Sequence, residues 1–179
     1  MNNIKQKSIL SIINIDSSVK YISAGSFFTN GNLVLCGYQK NKSINNISGF
    51  GGKKELTDKT YIETAIRETL EELFGIHPDK ELINIINLNI IHKKLCVIDN
   101  YHMLTYTFED LELILSILNK NNITSILYEI FPLTISELIL NRKVDFNNEI
   151  LHLCLLPLKE NVVINNDFVK DINYFLAQK

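Results

Sequence analysis

Apolar residues recur along the chain in two rhythms. Runs rich in β-branched and aromatic residues predict short strands at 8–15, 23–28 and 33–38, the last after a turn at Asn30-Gly31-Asn32. Residues 41–48 are polar and predict a loop. From 60 to 74 the spacing changes: Ile62, Ala65, Ile66, Thr69, Leu70 and Leu73 form one stripe at helical spacing. Residues 82–91 and 95–108 are again β-branched and aromatic and predict an antiparallel strand pair, with Asp99-Asn100 as a further turn. Helices are expected at 111–119, 135–140 and 166–177, and strands at 125–131 and 149–155. Strands on both sides of one well-marked helix predict an α/β or α+β layered fold in a single domain, 1–179.

The helix at 60–74 is also where the charges are unusual. Thr60-x-x-Glu63 has the form of a capping box, and Gly75 is the residue type that ends a helix in the left-handed conformation. Glu68, Glu71 and Glu72 stand at i, i+3 and i+4, so three carboxylates share one patch near the C-terminal end. Each like-charge pair costs about 0.2–0.5 kcal/mol. Anions at a helix C-terminus oppose the macrodipole by about 0.3–1 kcal/mol each. Arg67 can pair with Glu71 or Glu63, but one arginine does not neutralise the cluster. A divalent cation would, and Mg²⁺ or Mn²⁺ takes carboxylate, carbonyl and water oxygens, commonly together with substrate phosphates. A solvated acidic helix face is the alternative.

Composition narrows the choice. The 179 residues carry a formal charge of −2, which argues against bulk electrostatic coating of nucleic acid or anionic membrane. Cys36, Cys96 and Cys154 are odd in number and widely spaced, which fits buried thiols in a reducing compartment. Residues 1–20 form neither a secretory h-region nor a spanning helix, and later apolar runs are broken early. A cytoplasmic setting, in a cell or a virus-infected host, is expected. Arginine and alanine are scarce, yet Arg67 and Ala65 fall in the same window as Gly49, Gly51, Gly52 and Gly75, four of the seven glycines. Gly49-Phe50-Gly51-Gly52-Lys53 can form a turn whose backbone approaches a ligand closely, and Lys53 or Lys54 can meet phosphate oxygens.

The stretch GFGGKKELTDKTYIETAIRETLEELFGI, residues 49–76, resembles the Nudix box, G-x5-E-x7-R-E-U-x-E-E-x-G-U with U aliphatic. The resemblance implies an α/β/α sandwich with a mixed sheet. It also implies Mg²⁺ (or Mn²⁺) ligands in Glu68, Glu71, Glu72 and the Gly51 carbonyl, with Gly52 and Arg67 as structural parts of the site, Arg67 orienting the glutamates. Two departures stand out: Asp58 replaces the early glutamate with one extra residue before Arg67, and Leu73-Phe74 replaces a single residue before Gly75. Thr69 also sits where an aliphatic residue is usual. The variant form is similar to Nudix proteins of large DNA viruses.

The implied reaction is hydrolysis of a diphosphate bond in a nucleoside diphosphate linked to another group, with Glu72 or Glu71 taking the proton of the attacking water. Some family members place the base in a loop before a late strand. Residues 119–122 hold no acid there, although Asp99, Glu109 or Glu129 could be brought near by the fold. Tyr38, Lys40, Lys53, Tyr101 and His102 are candidates for substrate contact. His77, His92 and His152 show no ligand spacing. A nucleotide or dinucleoside polyphosphate is the expected substrate. Capped RNA, as in viral-type decapping, is an alternative, and so is a non-catalytic nucleotide-binding module, although the intact glutamate cluster argues against the latter. No membrane partner is expected, and the oligomeric state is open.

Overall fold

A computed structural model describes residues 20–39, 47–159 and 164–178. The strand expected at 8–15, most of the loop expected at 41–48, and Lys40 lie outside the described residues. The described elements are β1 (Ser23–Thr29), β2 (Leu33–Gln39), β3 (Ile47–Ser48), β4 (Phe50–Lys53), α1 (Tyr61–Phe74), α2 (Lys80–Asn89), β5 (Lys94–Ile98), β6 (Tyr101–Thr107), α3 (Phe108–Lys120), α4 (Ile135–Leu140), β7 (Ile150–Pro157) and α5 (Asn166–Ala177).

Seven strands form one mixed sheet. β1 runs parallel to β6 from Ser23↔Tyr101 to Thr29↔Thr107, and its first four residues pair antiparallel with β4. β2 meets β1 at Thr29↔Val34 and pairs along its length with β7. Side chains alternate across this sheet. Ala24 and Phe28 of β1, with Leu104 and Tyr106 of β6, join α1, α2 and α3 in one core. Phe27 and Met103, one position over, join Phe168, Ile172 and Phe175 of α5 in a second core on the opposite face. The result is the α/β/α sandwich with a mixed sheet that the motif implied. Each fully buried Leu or Phe of α1 contributes about 1.5–3 kcal/mol by leaving water, and Leu70, Leu73 and Phe74 are all fully enclosed.

Three expectations are corrected. Residues 82–89 belong to helix α2, and the expected strand at 82–91 does not form. Asp79 caps the helix by accepting from the Leu82 amide at 2.8 Å, and Leu82, Ile83, Ile86 and Ile90, all buried, lie at helical spacing. The isoleucine content favoured β structure, but the spacing and the cap prevail. Residues 95–108 are a hairpin, β5 and β6, turning at Asp99 with φ 54°, and Phe108 already opens α3. Residues 125–131 form no strand. They are held by other contacts: the Lys143 amide donates to the Leu127 carbonyl, and the side-chain hydroxyls of Ser125 and Tyr128 donate to the carbonyls of Phe74 and Leu138.

Tertiary pairing also joins distant positions. Cys36 and Cys154 are direct partners across β2 and β7, with their sulfurs 3.4 Å apart. Thr69 faces Ser26 of β1: its hydroxyl lies 2.7 Å from Ser26 Oγ and donates back to the Ala65 carbonyl, so a polar pair fills the place of the usual aliphatic contact. Among the described residues no helix is long and apolar enough to cross a membrane.

Candidate active site

Helix α1 is held at both ends. Thr60 accepts from the Glu63 amide at 3.2 Å, but Glu63 reaches the Lys59 amide rather than that of Thr60, so only half of the expected capping box forms. At the other end Gly75 takes φ 62° and donates to the Glu71 carbonyl at 2.9 Å. Arg142, buried and 70 residues from Glu72, donates to the carbonyls of Leu73 (2.6 Å), Glu72 (2.8 Å) and Ile150 (2.8 Å). A guanidinium on the last carbonyls of a helix is favourable for both hydrogen bonding and the dipole. Sequence reading assigned Arg142 no role. Its only signal was scarcity, since Arg67 and Arg142 are the only arginines.

Arg67 lies under the first half of the helix in a dense ionic knot. Its Nη2 donates to the Lys53 carbonyl at 2.8 Å and to Asp58 Oδ2 at 3.1 Å, and its Nη1 contacts Glu71 Oε2 and Glu68 Oε1, both at 2.9 Å. Asp58 also accepts from the Thr64 hydroxyl at 2.9 Å and the Glu55 amide at 3.0 Å. Burial would raise the Asp58 pKa, but the bonds from Arg67, Glu55 and Thr64 outweigh it and hold the carboxyl below its usual range. Thus the shorter Asp58, with its extra loop residue, is the main anchor of Arg67. Glu63, an expected partner of Arg67, pairs with Lys80 at 2.7 Å instead.

Residues 49–53 were expected as a turn and form strand β4 instead, anchored by buried Phe50 and lying against β1 with Gly25 opposite Gly51. Its glycines bring backbone up to the glutamates. Glu72 is half-buried and accepts from the Gly51 amide at 2.8 Å. Glu68 covers Gly52 so closely that any Cβ there would collide with its carboxylate. The pKa of Glu72 is raised well above normal, first by burial and then by Glu68 and Glu149, against the lowering effect of the Gly51 amide. That of Glu68 is raised by burial and by Glu71, against Arg67. Glu149, next to the start of β7, is a carboxylate that sequence reading missed near this cluster. The expected base loop was sought at 119–122, whereas the late strand that reaches the site is β7.

On the other side of the glycine strand lies an open cleft of about 480 Å³, lined by Gln39, Gly49, Gly51, Asp99, Tyr101 and Asp171 among others. The Tyr101 hydroxyl stands against Gly25. Tyr101 lines the cleft, and its pKa is raised by burial and by Asp171, Glu72 and Glu68. Of the three acids considered as alternative bases, Asp99 lines the cleft, Glu129 pairs with Lys143 at 3.8 Å, and Glu109 is exposed on the first turn of α3. Lys53 contributes its carbonyl to Arg67 and its side chain is exposed. Tyr38 is on β2, half exposed, 6.4 Å from the His152 ring. His102 is enclosed between the rings of Tyr21 and Tyr61, away from substrate-accessible surface.

Among the described residues, no three His, Cys, Asp or Glu side chains enclose a metal position as they stand. Glu68 and Glu71 each give an oxygen to Arg67. The donor chemistry nevertheless fits a hard divalent ion: the donors are carboxylates, and Glu68 raises the pKa of Glu72 while Glu71 raises that of Glu68, a repulsion that a cation would relieve.

No protein-family model matches the chain, and no curated protein matches it in sequence. Solved structures do match in fold. A bifunctional NMN adenylyltransferase/ADP ribose pyrophosphatase from Francisella tularensis, complexed with AMP and a Mn ion, superposes with TM-score 0.51 at 14% identity, over 89% of this chain and 42% of that one. This chain therefore spans about two fifths of that protein's length. A NUDIX hydrolase from Nitrosomonas europaea gives TM-score 0.46 at 13% identity, over 90% and 91% of the two chains. A NUDIX family hydrolase from Clostridium perfringens gives 0.41 at 14%, over 89% and 98%. At such identities the likeness is one of fold.

Proposed function

We propose that this chain is a Nudix hydrolase that cleaves a phosphoanhydride bond in a nucleoside diphosphate derivative, in a divalent-metal-dependent reaction. The observation that carries the reading is Glu72: a half-buried carboxylate fixed by the Gly51 amide, flanked by Glu68 and Glu71, beside the glycine strand that lines an open cleft. Neither helix propensity nor packing calls for three carboxylates at this end of α1. Glu68, Glu71, Glu72 and the Gly51 carbonyl would hold the Mg²⁺ or Mn²⁺, which supplies charge neutralisation at the phosphates and an acidified water.

Arg67 orients Glu68 and Glu71 through Nη1, and Asp58 fixes Arg67 in turn. The Gly51 amide occupies Oε2 of Glu72, leaving Oε1 to accept the proton of the attacking water. A raised pKa suits that task, since a base works best with a pKa near the operating pH.

The test is a Mg²⁺-dependent screen of nucleotides, dinucleoside polyphosphates, nucleotide sugars and capped RNA, run with wild type, Glu72→Gln and Glu149→Gln. Metal-dependent release of a nucleotide product, lost in Glu72→Gln, supports the reading. Equal activity of wild type and Glu72→Gln on every substrate removes Glu72 from the chemistry, and loss confined to Glu149→Gln transfers the base role to Glu149. Absence of turnover with all substrates overturns the hydrolase reading.

A further inference from the structure

Along the chain Cys36, Cys96 and Cys154 are three separate thiols, but the sheet brings two of them together. Cys36 of β2 and Cys154 of β7 are direct antiparallel partners, and both pack on the α5 face of the sheet with Val34, Leu156 and Ile164. Opposite residues of an antiparallel pair have Cα atoms about 4.5–5.5 Å apart. That separation lies inside the range of about 4.4–6.8 Å that a disulfide spans. The two sulfurs, 3.4 Å apart, are already in contact.

The two thiols differ in access and in acidity. Cys36 is fully buried, whereas Cys154 keeps part of its surface in water. A hydrogen bond from the Cys36 thiol holds the Cys154 pKa below its ordinary value, against burial, and the same contact pushes Cys36 up. Cys154 is therefore the thiol that ionises first, and the thiolate is the nucleophile. Among the described residues β7 pairs with β2 alone, so it can close on its neighbour without dragging a further strand. Cys96 stands on β5, three strand spacings away across the sheet. That is about 14 Å, well beyond the limit of about 7 Å for a bridge.

We propose that Cys36 and Cys154 form a redox modification site, which a hydroperoxide converts to a reversible disulfide within the chain. The Cys154 thiolate attacks one oxygen of hydrogen peroxide: an S–O bond forms as the O–O bond breaks, and the departing hydroxide takes up the Cys154 proton as water. Cys36 sulfur then attacks the Cys154 sulfenic acid. The S–S bond forms, the S–O bond breaks, and the second hydroxide leaves with the Cys36 proton as water. Two thiols lose two electrons in all, and one peroxide becomes two waters. Directly opposite residues hold their Cβ atoms about 4.5–5.5 Å apart, above the about 3.5–4.5 Å of a relaxed disulfide. The bridge is therefore strained, which favours its reduction by a dithiol. Neither cysteine belongs to the glutamate cluster or lines the cleft, so the site stands apart from the hydrolase reading.

The test treats the reduced full chain with a small excess of hydrogen peroxide, then reads thiol count, intact mass and the peptides released by proteolysis without reductant. The three thiols are expected to fall to one, with a mass loss of about 2 Da per chain. A linked peptide containing Cys36 and Cys154 is expected, and dithiothreitol should abolish it. Cys96→Ala should leave this link in place. Cys36→Ala should stop the reaction at a sulfenic acid on Cys154, trapped with dimedone. The wild-type readings need no variant, so a misfolded mutant does not shelter the proposal. Both thiols remaining free, a link through Cys96, or a link only between two chains overturns it. So does a bridge that forms no faster in the folded chain than in urea.

Discussion

Asp58, just before helix α1, is buried and Glu72, in the last turn of that helix, is half-buried, yet they are in opposite electrostatic states. Asp58 receives Arg67, a hydroxyl and an amide, and its pKa is lowered. Glu72 receives one amide and faces Glu68 and Glu149, and its pKa is raised. Burial favours the neutral form at both places; the donors around each carboxyl decide whether that tendency prevails. The Asp58 side is a satisfied knot that builds the fold. The Glu72 side is left short of positive charge, and such a shortfall is a common mark of a functional site.

The comparison breaks most severely at Arg67. Arg67→Leu leaves Asp58 as a buried, unpaired charge and frees Glu68 and Glu71, and urea unfolding is expected to show a loss of about 3–5 kcal/mol. Glu72→Gln should have the reverse profile. It keeps an acceptor for the Gly51 amide and removes an uncompensated charge, so stability is expected to hold or rise while metal-dependent turnover falls about 100-fold or more.

Arg142→Met removes three charge-assisted bonds, two to the Glu72 and Leu73 carbonyls at the end of α1 and one to the Ile150 carbonyl of β7. About 2–3 kcal/mol of stability is expected to go, with kcat reduced further than KM changes, because the backbone under Glu72 loosens.

A pH series on unfolding separates the two kinds of carboxyl. Asp171, pushed up to about 7 from an ordinary value of 3.8, binds its proton more tightly when folded. Its contribution is therefore complete below about pH 4 and is lost as pH rises towards 7, by up to about 1.4 kcal/mol per pH unit. Asp171→Asn should flatten that part of the curve. Asp58 acts oppositely: its contribution is present above the ordinary carboxylate value and is lost as pH falls through its depressed one, so the advantage of wild type over Asp58→Asn should shrink in acid. The smallest effect belongs to the exposed pair of Lys80 and Glu63. Lys80→Ala is expected to change stability by less than about 0.5 kcal/mol, since solvent screens the interaction.

Legibility followed the range of the interactions. Helix α1, its Thr60 cap, its Gly75 stop and the glutamate patch could be read from residues a few positions apart, because caps and i, i+4 neighbours are local. Helix α5 was read with the same bounds it has in the structure, 166–177. Helix α2 was misread because its isoleucines favour a strand locally, while its identity depends on the Asp79 cap and on which isoleucines meet the core. The glycine segment was recognised as a place of close approach, but its form as a strand depends on β1 lying beside it. Glu149, Gln39 and Asp171 carried no readable signal and Arg142 only its scarcity, since each gains its surroundings from an element far away in sequence.

The amino-acid sequence alone determined a layered α/β chain with one helix bearing three carboxylates after a glycine-rich segment, because periodicity, capping and spacing are properties of neighbouring residues. Tertiary structure alone decided which carboxyls are satisfied and which are left short of partners. That distinction depends on burial and on donors supplied by other elements: Gly51 to Glu72, Arg67 to Asp58, and Arg142 to the end of α1. The free energy of a charge is set by everything within a few ångströms of it, and sequence order specifies only part of that surrounding.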